Sequence, residues 1–138
     1  MKYKSISFAY GGGFMPLFFS RKAITIDAED YYDAKWTALD GFYQYVDEGD
    51  DYELAIARFL DDFRLSGSFD DMVMILTLAS RFYKFEHDLP DILIAEVKKA
   101  IELYNHQYKK IRQSLEKNEI EDLDADYQNS IAALQRCQ

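Results

Sequence analysis

The sequence predicts a single α+β domain: an N-terminal β-hairpin over residues 1–26, packed against a four- or five-helix bundle over residues 27–138. Three observations carry this expectation. The chain has 138 residues and a mass of 16.2 kDa, the size of one domain. Its apolar spacing changes from a period of two to one near 3.6 at about Asp27. Hydrophobic residues make up 49% of it, with 11 tyrosines and 10 phenylalanines, so one aromatic-rich core is expected and disorder throughout the chain is not.

The hairpin is read from alternation. Ile6, Phe8 and Tyr10 would share one face of a first strand, with Ser5, Ser7 and Ala9 on the other. A return strand is expected from about Leu17 to Ile26, ending in the β-branched run AITI. Gly11 to Gly13 supply the reversal, where positive φ is cheap, and Pro16 suits a strand start or an edge. Two strands alone are marginal, so helices are expected to cover them.

The helices follow in order. Tyr32, Trp36, Leu39, Tyr43 and Val46 step by four and three, giving one stripe with Gly41 inside it and Gly49 just past its end. A second helix is expected to begin at Asp50, with Glu53 three residues on in capping-box spacing, and to bury Ile56, Phe59, Leu60 and Phe63. Ser68 with Asp71 opens a third, whose apolar residues from Met72 to Phe85 surround it and place it centrally. Asp88 and Pro90 open a fourth, with a stripe from Leu93 through Val97, Ile101, Tyr104, Tyr108 and Ile111 to Leu115. Near Asn118 the chain is expected either to turn or to bend, with Asn118 and Glu121 as a candidate cap pair, before a final stripe of Ile120, Leu123, Tyr127, Ile131 and Leu134.

Chemical motifs are sparse. Placing Gly67 at position six of a calcium loop puts Arg64 at position three and Val73 at position twelve, so the EF-hand pattern fails. His87 and His106 are the only histidines, and Cys137 is the only cysteine, so neither a zinc quartet nor an intrachain disulfide is expected. The triple glycine is followed by no Gly-Lys-Ser/Thr and belongs to no GxGxxG. No catalytic, cofactor or metal residues are assigned. A small hydrolase using Asp and Glu side chains is one alternative function, and a structural or assembly subunit is another.

Charge is the stronger signal. The net charge is −9, but Met1 to Ile26 holds four bases and no acid, whereas Asp27 to Met72 holds fourteen acids and three bases. Such a field repels phosphate backbones and attracts basic proteins, so direct nucleic-acid binding is not expected. The expected function is an acidic protein-binding module, in concrete form an immunity- or antitoxin-like inhibitor of a basic bacterial enzyme such as a nuclease. Its binding surface is assigned to Asp47, Glu48, Asp50, Asp51, Tyr52, Asp61 and Asp62, with the tyrosine as an anchor among carboxylates. A homo-oligomer is compatible with the pattern. No signal peptide or membrane span is recognised, and a cytoplasmic location is the expectation.

Overall fold

The computed structural model describes residues 31–63 and 67–137. These residues form six helices: α1 (Tyr31–Asp47), α2 (Tyr52–Asp62), α3 (Phe69–Lys84), α4 (Asp91–His106), α5 (Tyr108–Ser114) and α6 (Lys117–Arg136). They are 84% helical, and no strand occurs among them. The expected α+β class is therefore corrected to all-α. The segment assigned to the hairpin, residues 1–26, lies outside the described residues. The physical reason for the all-helical core is α3. Every residue from Met72 to Ser80 is buried, so this helix is enclosed on all sides and takes the central place that a sheet would otherwise fill. Helices α1, α4 and α6 pack directly on it, and α2 packs mainly on α1.

Each helix shows why its sequence adopts it. Ser68 Oγ accepts the Asp71 amide at 3.1 Å, the cap expected for α3, and Asp70 and Asp71 favour its positive end. Helix α1 is turned relative to the expected stripe. It buries Tyr31, Ala34, Ala38, Leu39 and Phe42, while Tyr32 and Trp36 stay 37% and 57% exposed. The two alanines bring the α1 backbone close to its neighbours, a contact that a reading weighted toward large aromatics assigns to the wrong face. Gly41 serves the same end on α2: a Cβ there would lie 3.0 Å from the fully buried Phe59 ring.

Two further starts differ from expectation. Asp88 does not cap α4. Its carboxylate faces Arg136 at 3.8 Å, and Pro90 occupies the N-cap position. The expected long fourth helix bends at Gln107 (φ −107°, ψ 20°), which separates α4 from α5 while Gln107 still bonds back to Leu103 and forward to Ile111. Helix α6 begins at Lys117, and Glu119 Oε1 accepts the Glu116 amide at 2.8 Å, two residues upstream of the expected Asn118–Glu121 pair.

The seams around α6 are polar. Asp126 and Ser130 are buried on it, and Lys35 of α1 reaches Asp126 Oδ2 at 2.5 Å and Asp122 Oδ2 at 3.1 Å. Tyr31 donates to Asp122 Oδ2 at 2.9 Å. On the α3 side, Asn129 donates to Ser80 Oγ at 2.9 Å, and Ser130 Oγ reaches the Leu76 carbonyl at 3.3 Å. Toward α4 the Tyr104 and Tyr127 rings stack 4.1 Å apart, and Tyr104 donates to Asp124, which also receives Arg112.

Candidate protein-binding surface

The turn between α1 and α2 concentrates the predicted residues. The Asp50 amide bonds to the Tyr45 carbonyl at 3.1 Å and the Gly49 amide to Val46 at 3.0 Å, the paired closure of a Schellman motif, with Gly49 at φ +110°. This closure moves the cap of α2 by one residue. The Asp50 amide bonds to α1 and its carboxylate to Arg58, and Asp51 caps α2, its Oδ1 accepting the Leu54 amide at 2.8 Å. The expected Asp50 cap is corrected accordingly.

Asp50 has another partner. Arg58, one of two bases among residues 31–63, places Nη1 2.9 Å from Asp50 Oδ2 and 3.5 Å from Glu48 Oε1, with its guanidinium 4.0 Å over the Tyr45 ring. The hydrogen bond to Asp50 raises the Arg58 pKa further. Tyr45 in turn donates to Asp62, and that bond, with some loss of hydration, holds its phenol above the usual tyrosine range. One predicted set of residues thus divides in two. Asp50, Asp51 and Asp62 have partners within the domain. Asp47 and Asp61 are exposed and form no ion pair among the described residues, and exposed Glu48 shares Arg58 with Asp50.

Tyr52 belongs with the structure rather than with an exposed anchor. It is half-buried, with its ring centroid 5.5 Å from Phe42, 5.7 Å from Phe82 and 4.6 Å from His87. Exposed apolar groups lie elsewhere, outside the residues assigned to the binding surface. Ile92, in the first turn of α4, is 48% exposed, and Leu54 on α2 is 49% exposed. An open groove of about 440 Å³ lies beside them, lined by Ala57, Arg58, Leu60, Asp61 and Ile92. The available signal was an apolar residue off its helix's buried stripe: Leu54 precedes the Ile56–Phe59 face, and Ile92 precedes Leu93–Val97.

Among the described residues, no group of three or more His, Cys, Asp or Glu side chains is arranged to hold a metal ion. Asp122 and Asp126, one turn apart on α6, are both engaged by Lys35. No helix among the described residues is long and apolar enough to cross a membrane. Comparison with protein-family models, curated proteins and solved structures finds no match.

Proposed function

We propose that the chain is an acidic protein-binding module whose α1–α2 edge receives a basic protein, in the manner of an immunity- or antitoxin-like inhibitor of a basic enzyme such as a nuclease. One observation carries the reading. Residues 31–63 contain nine acids and two bases, and both bases are committed inside the domain, Lys35 to Asp126 and Arg58 to Asp50 and Glu48. Asp47 and Asp61 are exposed and form no ion pair among the described residues. Such a surface steers a positively charged partner and raises its association rate.

The test is capture from lysate of the native source, with wild type beside the Asp47→Lys/Glu48→Lys variant. The expected result is a stoichiometric basic protein on the wild type, released by salt, and associating about ten-fold more slowly with the variant. Both positions avoid the Asp51 cap, so circular dichroism should show an unchanged fold. Capture of no basic protein, or equal rates and salt dependence for both forms, would overturn the reading.

A further inference from the structure

We infer that the groove between α2 and the start of α4 seats an amphipathic helix of the basic partner. This rests on the acidic-module reading above and names the place and the form of contact. The apolar residues that line this open groove are Ala57 and Leu60 of α2 and Ile92 of α4. Ile92 is 48% exposed at the rim of this groove and offers an apolar contact to a partner. On α2, Leu54, Ala57 and Asp61 lie at i, i+3 and i+7, one stripe about 10 Å long. Two turns of a partner helix match that length, with apolar anchors one or two turns apart.

The charge around the groove selects the partner's other face. Asp61 lines it, Glu53, Asp62 and Asp91 are exposed on the same two helices, and the lining cation, Arg58, directs its ion pairs to Glu48 and Asp50. A lysine or arginine flanking the partner's apolar anchors would meet Asp61 without competition from Arg58. A helix fits better than an added strand, because strand addition needs an unpaired sheet edge, and none exists among the described residues.

The probe is a synthetic 18-residue peptide of leucine and lysine at helical amphipathic spacing, titrated into the full ¹⁵N-labelled chain. Two controls accompany it: the same pattern with glutamate for lysine, and the same composition with the leucines scrambled. Saturable shifts at the amides of Ala57, Leu60, Asp61 and Ile92, with the leucine–lysine peptide alone, are expected. Ile92→Ser should weaken that binding about ten-fold, and Asp61→Asn about three-fold. Ile92 is half-exposed, so its truncation should leave the circular dichroism spectrum intact, and Asp61→Asn tests the seat at a position with no packing role. Shifts spread over all acidic residues and indifferent to Ile92→Ser would overturn the seat. So would equal binding of either control peptide. A dimer seen by sedimentation and dispersed by Ile92→Ser would assign the groove to a second copy of the chain, also against the proposal. The two readings fail separately: loss of the peptide seat leaves the salt-sensitive capture through Asp47 and Glu48 in place, and failed capture leaves the peptide titration unchanged.

Discussion

Replacing Lys35 with methionine tests how α6 is attached. The ammonium lies 2.5 Å from Asp126 Oδ2 and 3.1 Å from Asp122 Oδ2, and the Lys35 and Asp126 side chains are 15% and 5% exposed. At an effective dielectric of about 20, the shorter contact alone is worth roughly 6–7 kcal/mol of attraction. Desolvation of the two ions, several kcal/mol each, offsets most of that. The balance changes when only one ion is removed. Lys35→Met leaves Asp126 buried without its cation and beside Asp122, so a loss of about 3–5 kcal/mol is expected. Asp126→Leu should cost less, about 1–2 kcal/mol, because Lys35 keeps Asp122 at the rim. The double variant replaces both ions with apolar groups and should lie close to the wild type. Urea unfolding of the four proteins gives the coupling energy directly. A Lys35→Met cost under about 1 kcal/mol, or a double variant as unstable as the two single losses combined, would refute a desolvated ion pair at this seam.

Other positions give independent expectations. Glu86 holds φ +61° at the end of α3, with its amide on Tyr83 and the His87 amide on Phe82. Glycine there relieves left-handed strain at some cost in unfolded-state entropy, so Glu86→Gly should raise stability by about 0.5–1 kcal/mol in urea unfolding. Thr77 is 3% exposed, and its hydroxyl has no hydrogen-bond partner among the described residues, so Thr77→Val should stabilise by about 1 kcal/mol, read as a higher melting temperature. Gly41→Ala gains helix propensity but presses on the Phe59 ring at 3.0 Å, and a net loss of about 1 kcal/mol is expected in the same measurement. Burial, followed by the bonds to Asp122 and Asp124, raises the phenol pKa values of Tyr31 and Tyr104. Their folded values exceed the unfolded value of about 10, so this contribution is intact below pH ~10 and is lost as pH rises from there through the folded values. Stability measured against pH should fall above about pH 10, and the fall should flatten in Tyr31→Phe and Tyr104→Phe.

Helix identity was legible where capping and periodicity agreed. Ser68 with Asp71 located α3, and the apolar run after it, interrupted only by Thr77 up to Ala79, showed that the helix would be enclosed. Faces were harder to read. Ala34 and Ala38 are small, and their value is the close approach they permit, which depends on the neighbouring helix rather than on their own hydrophobicity. Asp50 and Asp51 are equivalent as capping residues, and what separates them is tertiary: the Asp50 amide closes α1 on Tyr45 and its carboxylate takes Arg58, while Asp51 Oδ1 accepts the Leu54 amide. The inward face of α6 was the least legible. Asp126 and Ser130 resemble solvent-facing residues in sequence, and they are accommodated when buried because Lys35, 91 residues away, pairs with Asp126 and the Ser130 hydroxyl donates to the Asp126 carbonyl at 2.7 Å, with the Leu76 carbonyl farther off at 3.3 Å. Asp47, Glu48, Asp50 and Asp51 lie together around the α1–α2 turn because they are neighbours in sequence, but the composition could not show that Tyr52 would be half-buried or that Ile92 would stay outside.

The partition of the acids links stability to the proposed binding. Asp122, Asp124 and Asp126 hold α6 to its neighbours, and Asp51 caps α2. Changing any of these alters the fold, so a loss of binding there would carry no information about an interface. Asp50 and Asp62 are intermediate, because Arg58 and Tyr45 join them into one exposed network whose energetic value is small. Asp47 and Asp61 are exposed and have no ion-pair partner among the described residues. Their carboxylates repel the others at the same edge, a small cost with no compensating bond within the domain. A surface shaped only by folding would gain from replacing some of them with lysine. Reversing Asp47 should therefore stabilise the isolated chain slightly, by a few tenths of a kcal/mol, while slowing association with a basic partner. Opposite signs for stability and association rate at one residue are the behaviour expected of a charge maintained for binding. A reversal that lowers stability and leaves the association rate unchanged would instead place Asp47 among the acids that serve the fold.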